Sequence, residues 1–599
     1  MSAHEEDVLG KAYDGRLMRR LLTYLRPYRK NVVLATAAII GHSALELIPP
    51  VLVKIVIDKY IPAGDLSGLG VIAAMYLATL VGSFVLDYTQ TWLLQLTGQR
   101  IMFDLRMQIY EHLQRLDLKF YDRNPVGRLM TRVTTDVDVL NDLFTSGVVS
   151  VFGDLFTLLG IMAMMVWIDW RLAVVAFAVL PLIWLVTQWF RRNVRETYRE
   201  VRTWIARINA YLQERITGMA TVQLFRREAR DFAEFDRIDH AYRDANVQSI
   251  FYYAVFYPAI ELISALAAGL IIWFGGGWVI SGALTLGSLV ASLQYSSRFF
   301  RPIQDMSEKF NVLQGAMASS ERIFALLDTR VEIVSGVGSE SRIPNPESRK
   351  GRIAFENVTF WYVEGEPVLR NVSFTVEPGQ RAAIVGATGA GKTTIVSLLL
   401  RFYDVQEGRI TIDGVDIRDM PLHDLRSMFG LVLQDVHLFS GTIGGNVRLG
   451  HEHIDDAAVR RAIEAVHADV FVDKLPLGLE TPVAERGATL SVGQKQLLSF
   501  ARALAFNPPI LVLDEATSSV DTETELLIRG ALKVVMRGRT TIAIAHRLST
   551  IQDMDRIIVL HKGELRESGS HQQLLAQRGI YHRLYQLQFK DKELAGSRA

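Results

Sequence analysis

The stretch GATGAGKTT, Gly386–Thr394, follows the apolar run AAIV and precedes the helical run IVSLLLRFY. Strand, glycine-rich loop and helix in that order form the context in which G-x-x-x-x-G-K-[ST] cradles phosphate. Gly386, Thr388, Gly389, Ala390 and Gly391 let backbone N–H groups close around the anion, and the following helix N-terminus favours negative charge. Lys392 reaches the terminal phosphates, the Thr393 hydroxyl is placed to ligate Mg²⁺, and Thr394 completes the loop. The region therefore reads as a binder of a nucleoside triphosphate.

Two further apolar strands extend that reading. PILVLDEA ends in Asp514, placed to hold Mg²⁺ through its water shell, and Glu515, placed to polarise an attacking water. TTIAIAH delivers His546, a side chain able to hydrogen bond a γ-phosphate and the water beside it. Between the loop and the acidic strand lies LSVGQ, Leu490–Gln494. It reads like the start of a second phosphate-facing helix, with a valine, Val492, where a second glycine would be expected. A valine at the second helical position can point away from phosphate without removing an N–H donor.

Upstream of these motifs the composition changes. The Ser, Gly, Pro and charge-rich stretch SGVGSESRIPNPESRKG reads as a linker, and the domains are expected at 1–30, a cytoplasmic segment; 31–328, membrane; 329–350, linker; 351–590, nucleotide-binding; and 591–599, a tail. Before residue 315 six apolar stretches stand out: Val32 to Val53, Leu69 to Leu96, Leu143 to Trp167, Arg171 to Phe190, Phe251 to Ile280 and Leu284 to Leu313, the sixth being the least apolar. Each is long enough for a bilayer core, which takes about 20 helical residues. Arg16, Arg19, Arg20, Arg26, Arg29 and Lys30 precede the first, so the positive-inside rule puts the N-terminus in the cytoplasm. The Arg-dense connections Gln99 to Asp142 and Arg191 to Ile250 then face inward. Both read as long helical stalks broken near the middle, at FYDRNPVGRL, Phe120–Leu129, and at ITGMATVQLF, Ile216–Phe225.

Polar residues inside the spans, Glu46, Asp87, Asp154, Glu261, Gln294, Arg298 and Arg301, suggest a polar translocation cavity, because ionisable groups are costly in hydrocarbon. The fifth-span aromatics Phe251, Tyr252, Tyr253, Phe256 and Tyr257 fit either a cavity lining or an interfacial belt.

At 599 residues the chain exceeds a single domain of about 100–150 residues several times over. Its net charge of +1 gives no sign of nucleic acid as a partner. It has no cysteine, which excludes disulfides, thiolate metal sites and a cysteine nucleophile. The start MSAHEEDVLG is acidic and polar, unlike a secretory signal.

Taken together, the motifs resemble the nucleotide-binding domain of ATP-binding cassette transporters, and the six-span half, with PVGRLMTRVTTD at its first tip, resembles the exporter-type membrane domain of that family. The resemblance covers nearly the whole chain. It implies a multidomain fold: a six-helix transmembrane ABC exporter domain (type I exporter, type IV), then an α/β P-loop NTPase domain with a helical signature subdomain. It further implies ATP and Mg²⁺ as ligands. Tyr362 matches the aromatic that stacks on adenine, Gln434 the glutamine that senses Mg²⁺ and the attacking water, and Ser491, Gly493 and Gln494 the signature that contacts the partner's ATP. Asp521, in SSVD, matches the loop that communicates across the cassette interface. Glu485, in ERG, matches the segment that feels the membrane-domain tips, where Phe120, Asp122 and Phe225 lie. Catalysis would rest on Glu515, His546 and Gln434.

The resemblance also implies head-to-tail pairing, in which one chain supplies half of each of two ATP sites, either as a homodimer or with a second half-transporter. It implies a bacterial inner membrane, membrane lipids as surroundings, and export of amphipathic drug-like or lipid-like compounds. A dedicated lipid or lipopolysaccharide flippase is the alternative; a membrane-anchored ATP-switched regulator or channel is a third reading. The fused cassette speaks against an importer. Substrate identity cannot be read from residues scattered over several helices.

Overall fold

The computed structural model describes residues 14–335, 350–514, 522–544 and 551–587, with side chains at all of these except 146–150, 300–308, 310, 311, 522 and 523. Most of the linker, both chain ends, and Glu515, Asp521 and His546 lie outside the described residues, as does the side chain of Arg301. The chain divides into two compact units, Met1–Gln114 with Val126–Thr329, and Arg115–Pro125 with Arg330–Ala599. The short segment Arg115–Pro125 thus packs with the C-terminal unit although it is spliced into the N-terminal one.

The described residues of the first unit form helices and the turns between them. Among the described residues, five helical segments are long and apolar enough to cross a bilayer: Arg26–Ala63, Leu66–Arg115, Val151–Ile168, Trp170–Thr217 and Glu228–Ile280. The sixth, Leu286–Leu327, is 42 residues long, and the side chains of 300–308, 310 and 311 within it lie outside the described residues. The stalks are helices of 50, 38 and 53 residues, or roughly 75, 57 and 80 Å at about 1.5 Å per residue, far longer than the ~30 Å hydrocarbon core.

The first span is interrupted. One helix ends at Glu46 and the next runs Ile48–Ile55 with Pro49 and Pro50 in its first turn. Proline supplies no N–H, so Pro50 withholds the bond that the Glu46 carbonyl would otherwise accept. Spans three to six share a core in which Ile161, Met165, Leu172, Ala173, Ile260, Ala267, Ile271 and Tyr295 are buried; the small Ala173 and Ala267 let helices approach closely. Here the fifth-span aromatics receive their structural assignment. Phe256 stacks on Phe190 at 4.1 Å inside this core, and Tyr252 and Tyr253 stand edge-on to Trp189 and Phe190 at 5.5 and 5.1 Å. These three rings weld the fourth and fifth spans together, so Phe256 lines no cavity.

Ion pairs tie the spans near their ends. Asp136 accepts from Arg322 Nε and Ser319 Oγ, both at 3.0 Å, and Lys309 donates to Asp154. The N-terminal helix Gly15–Thr23 is held by a two-point bond from Arg20 to Asp328, at 2.7 and 2.9 Å.

Among the described residues the second unit holds twelve strands: β1 Ile353–Trp361, β2 Pro367–Val376, β3 Arg381–Val385, β4 Glu407–Ile412, β5 Val415–Asp416, β6 Phe429–Val432, β7 Gly441–Thr442, β8 Pro482–Val483, β9 Ile510–Asp514, β10 Thr540–Ile544, β11 Arg556–His561 and β12 Glu564–Gly569. A six-stranded sheet runs β12-β11-β3-β10-β9-β6, parallel except for its β12 edge. A four-stranded antiparallel sheet runs β2-β1-β4-β5. Strands β3, β9 and β10 are buried along nearly their whole length, which is why they read as continuous apolar runs rather than alternating ones.

Candidate nucleotide site and membrane-span polar groups

Parallel register brings the motifs to one edge. Ile384 of β3 pairs with Ile544 of β10, which pairs with Asp514 of β9, while Leu513 pairs with Val432 of β6. The loop from Gly386, the exposed Gln434 two residues beyond β6, and Asp514 therefore leave the sheet at its carboxyl end, where open α/β sheets bind ligands. Glu515 and His546 follow β9 and β10 in sequence and lie outside the described residues.

Within the loop, Gly389 and Gly391 adopt φ of 80° and 96°, and a Cβ on Gly391 would sit 2.6 Å from Leu369 Cδ2. Lys392 opens the helix Lys392–Leu399 and turns back, its Nζ donating to the carbonyls of Gly386 at 2.9 Å and Ala387 at 3.0 Å. Burial pushes its ammonium below the ordinary lysine value, opposed by the negative charge of Asp514. Thr393 is exposed and Thr394 buried, so the Thr393 hydroxyl is free to face a ligand. The Tyr362 hydroxyl donates to Thr394 Oγ1 at 3.3 Å, and the ring stays 41% exposed, leaving a face for a base to stack on. Ala390 is buried; Thr388 is exposed.

The oxygen-rich set of Thr393, Gln434 and Asp514 suits a hard cation such as Mg²⁺, which takes hydroxyl, carboxylate and water ligands. Among the described residues no cluster of three His, Asp or Glu side chains offers a protein-only metal cage.

The signature helix runs Val492–Ala505 with Ser491 as N-cap. Ser491 Oγ accepts from the Gln494 N–H at 3.2 Å and Gln494 Oε1 accepts from the Ser491 N–H at 2.9 Å, a reciprocal capping box. Val492 is thus the first helical residue rather than the second, and its side chain is 55% exposed; Gly493 is buried. Arg502 on this helix donates to the carbonyls of Asn446 and His437 at 3.0 and 3.3 Å, fastening the signature helix to the segment that follows Gln434.

Glu485 is exposed in a one-turn helix beside Arg486, which sits at φ 53°. Phe120 and Asp122 belong to the short helix Leu118–Arg123 in the C-terminal unit, and Phe225, 67% exposed, ends the helix Met219–Leu224 in the N-terminal unit. One participant escaped the sequence reading. Tyr403, in RFYD, donates to Asp122, and its ring packs on Tyr362. No local signal marks that contact, because its partner is brought in from another part of the chain. Nearby, Asp117 accepts from the Glu332 and Ile333 amides at 2.7 and 3.1 Å, and Lys119 pairs with Glu332 at 2.7 Å.

In the spans, Asp154 is neutralised by Lys309, and Asp87 accepts from Gln90 at 2.7 Å. Glu46 leans toward His42, 3.8 Å away, whose Nδ1 lies 2.9 Å from Ser83 Oγ. Arg298 donates to the Glu46 carbonyl at 2.7 Å. Glu261 is exposed and Gln294 half-buried.

Comparison with known proteins places this geometry. Residues 32–303 match the family model described as ABC transporter transmembrane region, and residues 369–518 the one described as ABC transporter. An uncharacterized ABC transporter ATP-binding protein of Bacillus subtilis, YknV, is 38% identical over 595 residues, covering 98% of this chain and 96% of its own. The ATP-dependent lipid A-core flippase of Syntrophus aciditrophicus is 36% identical over 589 residues, covering 96% and 95%. A solved bacterial Atm1-family ABC exporter with ATP bound superposes with a TM-score of 0.76 at 30% identity, covering 94% of this chain and 98% of the other.

Proposed function

The chain belongs to the ATP-binding cassette transporter family, and from that premise we propose that it exports lipid-like or drug-like amphiphiles across a bacterial inner membrane, with its cassette and N-terminus in the cytoplasm. It is an ATP-hydrolysing, multi-pass exporter of half-transporter type, so it works as a dimer. The observation that carries the hydrolytic reading is the shared carboxyl edge of β3, β6 and β9, which gathers the phosphate loop, Gln434 and Asp514.

In the proposed cycle Tyr362 stacks on adenine, and the amides of Gly386–Gly391 with Lys392 hold the phosphates. Thr393, Gln434 and Asp514 would hold Mg²⁺, which would draw charge from the phosphates. Glu515 orients and polarises the attacking water, with Gln434 and His546 beside it. Ser491 and the amides at the start of its helix cover the ATP held by the other subunit, so closure of two cassettes completes both sites. Asp521 and Glu485 pass that closure on, and Phe120, Asp122 and Phe225 receive it at the cytoplasmic tips; the spans then open outward. Either a second copy or a sister chain fits this scheme.

The flippase relative supports a lipid as cargo in particular. The test is turnover and transport by the singly expressed chain in vesicles, with a fluorescent phospholipid and a cationic dye as cargo. Wild type should hydrolyse ATP and move cargo, while Glu515→Gln should bind ATP and do neither. Turnover that survives Glu515→Gln would favour the ATP-switched regulator or channel, and turnover only after adding a sister chain would exclude the homodimer.

A further inference from the structure

Pro49 and Pro50 withhold the helical donors of the Leu45 and Glu46 carbonyls; the Leu47 N–H reaches the first, and the sixth span answers the second with a charged side chain. Pro50 stands four residues after Glu46, and Arg298 Nη1 donates to the Glu46 carbonyl at 2.7 Å. One turn away, the Tyr295 hydroxyl donates to the Leu47 carbonyl. Tyr295 is fully buried, whereas Arg298 is exposed on the protomer.

Depth makes that exposure informative. Arg298 lies twelve residues into the helix that begins at Leu286, about 18 Å along its axis at 1.5 Å per residue, well inside a core of about 30 Å. A guanidinium does not face hydrocarbon at such depth; it faces a polar cavity or a partner. Of its five N–H donors, the described residues accept from one, at the Glu46 carbonyl. Among the described residues, the Glu46 carboxylate lies 3.8 Å from His42 on its own helix, and Lys309 pairs with Asp154.

We propose that Arg298, anchored at the broken turn of the first span, is a recognition site for the oxyanion of an amphiphilic substrate, either a carboxylate or a phosphate. The guanidinium fork is the side chain whose geometry matches those two groups bidentately. Anchoring by one N–H to a main-chain carbonyl fixes the plane of the fork while leaving the other donors for the ligand. Broken membrane helices recur at substrate sites because freed backbone groups and ligand share one polar pocket. The proposal rests on the exporter reading above and names its substrate class.

The test uses the full chain in phosphatidylcholine nanodiscs with four probes of twelve-carbon chain: dodecanoate, dodecyl phosphate, dodecyltrimethylammonium and dodecyl maltoside. Dodecanoate and dodecyl phosphate should stimulate ATP hydrolysis at concentrations several-fold below the other two. Arg298→Gln should abolish that preference, raising the half-stimulating concentration of the anionic probes by about tenfold relative to the maltoside, and Arg298→Lys should retain part of it. The probe that loses more identifies carboxylate or phosphate as the favoured source.

A purely structural role is separated by Pro50→Ala, which returns an N–H to the Glu46 carbonyl. If Arg298→Gln has no effect on probe preference in that background, Arg298 serves only to cap the break and the proposal falls. An equal response of wild type to all four probes overturns it as well. Binding of a fluorescent fatty acid, read by energy transfer from the protein's tryptophans, requires no turnover. Loss of binding in Arg298→Gln supports the site even if the exporter reading fails, and unchanged binding refutes the site even if export is demonstrated.

Discussion

The Tyr403 hydroxyl donates a hydrogen bond to the Asp122 carboxylate, while the Tyr403 ring stands edge-on to Tyr362 with centroids 5.2 Å apart. One tyrosine thus touches both the expected adenine platform and the first cytoplasmic tip, which lie in the same compact unit. Burial, then the Asp122 carboxylate, holds the phenol well above the ordinary tyrosine range, so the proton stays on the donor across physiological pH. Tyr403→Phe keeps the ring contact and deletes the bond. A hydrogen bond to a carboxylate that is partly in water is worth about 1 kcal/mol, or roughly fivefold. The KM for ATP should stay within about twofold while the amphiphile-stimulated increment of turnover falls by about that factor. Steady-state ATPase assays with and without dodecanoate measure both, and an unchanged increment removes Tyr403 from the coupling route.

Val492 should be neutral. It is the first residue of its helix, 55% exposed, and the reciprocal bonds between Ser491 and Gln494 do not involve its side chain. Val492→Gly should therefore leave turnover unchanged. Ser491→Ala removes the cap, which costs about 1 kcal/mol of helix stability, and also the hydroxyl offered to phosphate, so its turnover should drop steeply. A several-fold rise for Val492→Gly would instead mark this subunit as attenuated and favour an asymmetric pair.

Much of the fold was legible because its signals are local. The phosphate loop announces itself through fixed spacing, the six spans through length and apolarity, and the broken stalks through Asn124, Pro125 and Gly127 or through Gly218. The aromatic residues of the fifth span were ambiguous for a physical reason: a ring that welds two helices and a ring that faces a cavity have the same composition signature, and only packing separates Phe256 from Tyr257. Arg298 was visible as a charge in a span, yet its anchor was not. The reading needed the pairing of Pro50 with a side chain on the sixth span, which is long-range information. Tyr403 was missed for the same reason.

The clasp between Arg381 and Asp555 gives a pH dependence with a defined sign. Asp555 accepts from the Arg381 amide at 2.9 Å, from Nε at 3.1 Å and from Nη2 at 2.6 Å, and pins β3 to the turn entering β11. The Arg381 side chain, opposed by burial, holds this carboxyl below its ordinary value. A carboxylate with a depressed folded pKa contributes stability that is complete above its unfolded value, near ~4, and lost as pH falls through the lower folded value. The melting-temperature penalty of Asp555→Asn should thus be constant from about pH 5 to 8 and shrink below about pH 4. Thermal unfolding of nucleotide-free protein across that range checks it; a penalty that grows on acidification would contradict the assignment.

Gly386 and Lys392 should fail in different ways although they share one loop. A Cβ on Gly386 would lie 2.4 Å from the backbone carbonyl oxygen of Leu560 in β11, and a sheet backbone cannot yield as a flexible side-chain end does. Gly386→Ala should therefore destabilise the unliganded cassette by about 1–3 kcal/mol, the range for overpacking. Lys392→Ala frees the carbonyls of Gly386 and Ala387 at a loop open to water and removes the charge facing Asp514, so the unliganded protein should melt closer to wild type than Gly386→Ala does. What it should lose is the ligand shift: ATP at a hundred times its Kd stabilises by about 2.7 kcal/mol, and without the ammonium facing the terminal phosphates most of that gain disappears. Melting curves of both variants with and without ATP separate the two effects. A normal ATP shift in Lys392→Ala would mean that the loop amides hold the nucleotide unaided.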